Sequence, residues 1–122
     1  METVERAKLI ANALDDKKAK DIKILEIKEL SSLAEYFVIC TCTSSTQVKA
    51  AADSAEDKMD EAGYPVSHRE GYNTGSWILL DFHDIIVHVM SEESREMYSI
   101  ERLWADAPEI ETGIEESPTI DF

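Results

Sequence analysis

The sequence has few of the residues that mark exported, membrane or nucleic-acid-binding proteins. Its 122 residues include two cysteines, four glycines, three prolines and only 12 lysines and arginines. No apolar run approaches the ~20 residues that span a bilayer, and the N-terminus has no apolar export signal, so we expect a soluble protein and no membrane association. Cys40 and Cys42 stand two positions apart in an apolar run, where a strand would place them on one face. We therefore expect reduced core thiols and a cytoplasmic location.

The shortage of basic residues leaves a formal net charge of −14. Six of the 26 acidic residues follow Ala105 with no lysine or arginine among them, and the part through Trp104 carries 20 acids against 12 bases. Such a charge repels phosphates, so we expect no direct sequence-specific binding of nucleic acid. It attracts a basic protein, most strongly at low salt. The alternative is that the acidity serves solubility alone.

The usual signatures of nucleotide chemistry are also missing. There is no G-x-G-x-x-G and no P-loop. The Gly75-Ser76 pair followed by Asp81 and Asp84 is similar to the Gly-Ser and paired aspartates with which nucleotidyltransferases hold Mg²⁺. Here, however, the acids are separated by two residues across a predicted turn and not by one residue along a strand, and the basic groups expected to bind a triphosphate are missing. An enzyme of that class is therefore only an alternative interpretation, and no catalytic residue or cofactor is predicted.

The histidines do not have the spacing of a metal site. His83 and His88 are five residues apart, which gives them opposite parity on strands, and His68 lies on another segment. We expect turn and sheet-surface roles for these side chains and no bound metal.

Hydrophobic periodicity predicts an α+β domain with the order α-β-β-α-β-β-β-α and a mixed sheet of about five strands. YFVICTC is apolar throughout and should be a central strand covered on both faces. Ser44 and Gln47 match a capping box at the start of an alanine-rich helix. The predicted helices cover about residues 4–18, 44–62 and 91–104, and the predicted strands about 21–27, 36–42, 66–70, 76–82 and 85–90.

The last two strands form a hairpin with apolar residues on both faces. If His83 and Asp84 make a two-residue turn, directly opposed residues share a face. One face then holds Ile78, Leu80, Ile85 and Val87, which are expected in the core. The other, called the second face below, holds Trp77, Leu79, Asp81, Ile86, His88 and Met90.

The second face is too apolar for full exposure and too polar for a dry core. Burying Trp77 and Leu79 could contribute several kcal/mol at about 25 cal/mol per Å² of apolar area. One possibility is that a helix of the same chain packs there. The other is a protein-binding surface with an aromatic anchor, the residue type that interfaces favour.

Seven short motifs carry a resemblance to a known family. They are E-Y-F-V-I (35–39), T-S-S-T-Q-V-K (43–49), E-G (70–71), W-I-L-L-D (77–81), D-I-I-V-H-V (84–89), E-S-R-E-M-Y (93–98) and I-E-R-L-W (100–104). Together they resemble the ribosomal silencing factor family, which is related to the plant protein Iojap. The similarity spans about residues 5 to 106. It therefore divides the chain into a domain of residues 1–106 and an acidic tail of residues 107–122, which we expect to be disordered.

The resemblance implies a nucleotidyltransferase-like fold without the catalytic acids, and a function without catalysis. Members of the family bind a basic protein of the large ribosomal subunit, ribosomal protein fourteen, and sterically block joining of the small subunit, which represses translation when nutrients are scarce. Isolated members are often homodimers, so a self-associating module is a further alternative. Arg95 and Tyr98 are expected to position the last helix. Carried over by position, the residues that would bind the ribosomal protein are Glu70, Gly71, Tyr72, Ser76, Trp77, Leu79, Asp81 and His88.

The sequence departs from the family pattern at His83, where glycine is usual. A two-residue hairpin turn favours positive φ, which is uncommon for histidine. We therefore expect His83 to adopt a strained turn conformation.

Overall fold

The structure is a computed structural model that describes residues 1–114, and these form a six-stranded mixed sheet with helices on both faces. The α+β class and the mixed sheet predicted from the sequence are confirmed. Within the described residues, every helix falls short of the length and apolarity that crossing a bilayer requires. The elements are α1 (Thr3–Asp16), β1 (Lys20–Glu26), β2 (Tyr36–Cys42), α2 (Ser45–Glu61), β3 (His68–Glu70), β4 (Trp77–Asp81), β5 (Ile85–Ser91), α3 (Glu92–Tyr98), α4 (Ile100–Leu103) and β6 (Glu109–Ile110).

The strands lie in the order β3-β4-β5-β2-β1-β6. β2 and β5 are parallel, and the other neighbouring pairs are antiparallel. β2 is central, and all seven of its residues are buried, as its continuous apolar sequence predicts. Cys40 and Cys42 are free thiols buried in this strand.

Helices α1 and α2 cover the first face of the sheet and enclose the larger core. Ser44 caps α2 by accepting a hydrogen bond from the Gln47 backbone N–H at 3.1 Å, as the sequence predicts. Three alanines and two larger side chains are buried along α2, and the small residues let the helix lie close to the sheet. The predicted hairpin core is confirmed, since its four residues are fully buried: Ile78, Leu80, Ile85 and Val87.

The hairpin turn also forms as predicted. The Phe82 backbone N–H donates to the Ile85 carbonyl at 2.9 Å, and His83 has a φ of 74°. The Asp84 carboxylate accepts two hydrogen bonds from the Arg6 guanidinium, at 3.0 and 2.5 Å, which ties the turn to α1. This pair lowers the pKa of Asp84.

The chain end differs from the sequence prediction in two places. The single helix expected over residues 91–104 is divided into α3 and α4 by Ser99, whose φ of 43° lies in the left-handed region. The sheet has six strands rather than about five, because β6 pairs with β1 inside the segment predicted to be a disordered tail. There Ile110 packs against the larger core. This contact buries apolar surface in a segment whose acidic composition predicts none. The part of the predicted tail beyond residue 114 lies outside the described residues.

Candidate protein-binding face

The register of three adjacent strands assembles the second face. Glu70 of β3 lies opposite Leu79 of β4, and Leu79 lies opposite His88 of β5. In the next rows Asp81 lies opposite Ile86, and Trp77 lies opposite Met90. Directly opposed residues share a face, so this arrangement confirms the predicted parity of the hairpin.

Helices α3 and α4 cover one part of the second face, which is the first of the two possibilities left open by the sequence. A separate apolar cluster forms beneath them, in which Phe37 and Trp104 meet edge to face with ring centroids 5.4 Å apart. Met90 is fully buried in this cluster, so at this residue the chain's own helices cover the second face and no external partner is needed. The physical reason is long-range: parallel β2 brings Phe37 and Ile39 beside β5, and together they give α4 an apolar surface on which to pack.

Arg95 fixes α3 to the sheet, as expected. Its guanidinium donates to the Asp21 backbone carbonyl at 2.7 Å, to the Thr41 hydroxyl at 2.8 Å and to the Glu101 carboxylate at 3.1 Å. These contacts hold α3 in place and carry Tyr98 to the border of the covered area.

Trp77 stands at that border. Its indole Nε1–H donates to Nδ1 of His88 at 3.1 Å, and the ring of Tyr98 lies 4.8 Å from its own, tilted by 43°. Trp77 nevertheless remains partly exposed. The helix end therefore braces the indole and does not enclose it.

His88 is buried, with 6% of its surface exposed, so its expected role at the sheet surface is wrong. The ring of Phe37 packs edge-on against it at 4.8 Å. Burial disfavours the charged imidazolium and lowers the pKa of His88 to about 4. At neutral pH the ring is thus uncharged, and its Nε2 has no hydrogen-bond partner among the described residues.

The remainder of the second face is open to solvent and is called the open patch below. Leu79 and Ile86 contribute partly exposed apolar surface at its centre, and Glu70 and Asp81 contribute carboxylates. His68 lies at its edge, with Nε2 at 3.0 Å from Glu70. The open patch comprises Glu70, Trp77, Leu79, Asp81 and Ile86.

Only some residues of the loop that leads into β4 lie beside the open patch. Gly71 has a φ of 81°, and a Cβ there would lie 2.0 Å from the Trp77 carbonyl, so only glycine lets the loop pass this close to β4. Gly71 and Ser76 are exposed beside Trp77. Tyr72 instead turns to the first face, where its hydroxyl donates to Asp53 of α2 at 2.9 Å. The structure therefore brings together seven of the eight predicted site residues and places Tyr72 across the sheet from them.

The two aspartates of the nucleotidyltransferase alternative do not converge. Asp81 accepts a hydrogen bond from the His83 backbone N–H at 2.7 Å, while the Asp84 carboxylate is held by Arg6 on the first face. Within residues 1–114 there is no group of three histidine, cysteine or acidic side chains that could hold a metal ion. Each of these acids has a structural contact that accounts for its position.

Sequence reasoning missed two contributors to the site. Tyr98 is assigned by the sequence only to the last helix, yet its ring packs on Trp77. Phe37 is assigned only to a central strand, yet it packs on His88. Neither contact has a local signal, because the first depends on the break at Ser99 and the second on the parallel β2–β5 register.

Comparison with known proteins places these features in a family. A family model described as "Ribosomal silencing factor during starvation" matches residues 1–121. The chain is 43% identical over 101 residues to the ribosomal silencing factor of Bacillus subtilis, covering 83% of this chain and 86% of that one. It is 31% identical over 107 residues to the chloroplastic protein Iojap of Arabidopsis thaliana, covering 88% of this chain and 44% of that one. A crystal structure of a protein from Chromobacterium violaceum superposes with a TM-score of 0.84 at 39% identity, covering 99% of this chain and 95% of that one.

Proposed function

This chain belongs to the ribosomal silencing factor family, and on that premise we propose that it binds the large ribosomal subunit through the open patch and sterically blocks the small subunit. The partner is ribosomal protein fourteen, a basic protein on the face where the subunits meet. The protein then represses translation under nutrient limitation, acts in the cytoplasm and performs no catalysis.

The observation that carries this proposal is the combination of a braced, partly exposed tryptophan with carboxylates at one surface. Trp77 and Leu79 supply apolar area, and tryptophan is enriched among the residues that contribute most to binding at protein interfaces. Glu70 and Asp81 add negative charge, which complements a basic partner and speeds its encounter. Gly71 and Ser76 border the same surface and extend it.

A co-sedimentation assay with purified large subunits tests the proposal. Trp77→Ala and Leu79→Ala should each lower the affinity at least tenfold, because each removes apolar contact from the centre of the interface. Val66→Ala is the matched control, since Val66 is a partly buried apolar residue that packs on the first face. Urea unfolding of every variant separates loss of binding from loss of fold.

Undiminished binding by both the Trp77 and Leu79 variants would remove the open patch from the interface. Charge reversal gives an independent check: Asp81→Lys should weaken binding, while Asp57→Lys, at an exposed position of α2, should leave it within about twofold. Equal effects of the two reversals would mean that net charge, and not the patch, governs binding.

Self-association is a second candidate function, and a different observation favours it. Met97, Tyr98 and Leu103 on α3 and α4 are 65%, 51% and 78% exposed, which is high for large apolar side chains. A homodimer through this surface would shield them. Light scattering over a concentration series, with Leu103→Lys as the variant and Trp77→Ala for comparison, shows whether a dimer exists and whether it uses Trp77.

A further inference from the structure

His88 occupies a buried position where an apolar side chain would have a lower free-energy cost of burial. Its neighbours across the strands are Leu79 and Ile39, and the ring of Phe37 packs against it. Its Nε2 is buried without a partner in the described part of the chain, and burying an unpaired polar group costs about 1–3 kcal/mol. Packing alone therefore does not account for a histidine here.

The hydrogen bond to Trp77 fixes the chemical state of His88. An indole N–H can only donate, so Nδ1, 3.1 Å away, must present its lone pair. The ring of His88 is then the neutral tautomer with its proton on Nε2. A protonated ring would offer a second donor to the indole and would break the bond.

The same bond restricts Trp77. Trp77 lies diagonally across from His88 on the same face, and its indole is held at Nε1 by that side chain and at its ring by Tyr98. A side chain that is already fixed loses less conformational entropy on binding than a free one.

From this geometry we propose that His88 is a positioning residue: its neutral imidazole holds the Trp77 indole in the orientation that the partner of the open patch recognises. The proposal rests on the proposed function for its consequence, since a fixed indole matters only if Trp77 binds a partner. It assigns His88 no contact with the partner itself, in contrast to the role that the family resemblance implies.

Two substitutions separate positioning from packing. His88→Leu keeps an apolar side chain in the site but removes the acceptor. His88→Asn restores an acceptor, because its Oδ1 is the same number of bonds from Cβ as Nδ1. Large-subunit affinity, the Trp77 indole N–H resonance and the urea midpoint are measured for each. In the unmodified protein, nitrogen shifts of His88 report which ring atom carries the proton.

We expect His88→Leu to lower affinity for large subunits roughly tenfold, about the contribution of one hydrogen bond, and to shift the Trp77 indole resonance. His88→Asn should restore the affinity to within about twofold of the original value and return the Trp77 indole resonance close to its original position. A proton on Nδ1 of the unmodified protein overturns the proposal, even if the leucine variant does not fold. The proposal is also overturned if His88→Leu binds large subunits as tightly as the unmodified protein while Trp77→Ala does not bind. If Trp77→Ala binds normally, the failure lies instead in the proposed function.

Discussion

At the scale of single residues, the chemistry of this surface depends on how deeply each polar group is buried. His88 is buried and neutral and is hydrogen-bonded to the partly exposed Trp77, while Glu70 and Asp81 on the same face keep carboxylates at the surface. The sequence orders these residues on one face through strand parity. It does not show which of them are covered, because that depends on where α3 and α4 lie.

The buried state of His88 has a consequence for stability. Its pKa is about 4 in the folded protein against 6.5 in an unfolded chain, so between these values the unfolded chain binds a proton that the folded one does not. Stability should be unaffected by His88 above pH 6.5 and fall as the pH drops towards 4, by up to roughly 3 kcal/mol. Urea unfolding at steps of pH measures this slope.

His88→Asn provides the control for that titration. In this variant, stability should depend much less on pH between 6.5 and 4. The further loss of stability at lower pH, when Asp84 is protonated and its pair with Arg6 breaks, should remain. An unchanged slope in His88→Asn would assign the effect to other groups and would contradict a neutral, buried His88.

At the scale of elements, the hairpin follows from its sequence alone and the chain end does not. Alternation and a two-residue turn are local properties, and they give the β4–β5 register and the four core residues correctly. The division between α3 and α4 rests on positive φ at Ser99, a conformation that serine shows too rarely to predict. Likewise, β6 is only two residues long and lies among acidic residues, so the sequence contains no periodic pattern that would predict its pairing with β1.

Strand β6 should nevertheless contribute measurably to stability. Ile110→Asp places a carboxylate against the larger core, where Ile110 is partly buried, and should lower the free energy of unfolding by about 1–2 kcal/mol. Glu109→Ala changes the exposed neighbour in the same strand and should stay within about 0.5 kcal/mol. Equal unfolding midpoints for the two variants would mean that β6 does not pack in solution.

At the scale of the whole molecule, the net charge of −14 and the open patch act together. Acidity on this scale opposes binding to RNA phosphates. On the RNA-rich surface of the proposed ribosomal target, it therefore favours contact with a basic protein. The acidic composition could be interpreted from the sequence as either solubility or partner choice. The open patch favours partner choice, since two of its five side chains are carboxylates beside apolar surface.

This balance predicts opposite behaviour towards RNA and protein. At about 0.15 M salt the protein should not bind deproteinised large-subunit RNA, and its affinity for isolated ribosomal protein fourteen should fall as salt rises. Filter binding measures the RNA titration, and fluorescence anisotropy of the labelled protein measures the titration with the ribosomal protein. Tight binding to the bare RNA would contradict the assignment of the partner.

The most direct test of the central claim is subunit joining itself. Separated large and small subunits are mixed with increasing amounts of the protein, and sucrose-gradient profiles record the whole ribosomes formed. We predict that the whole-ribosome peak falls as the protein reaches the concentration of large subunits, and that Trp77→Ala and Leu79→Ala leave the peak intact at the same concentration while Val66→Ala behaves as the unmodified protein. Undiminished joining with the unmodified protein bound to the large subunit would contradict the claim.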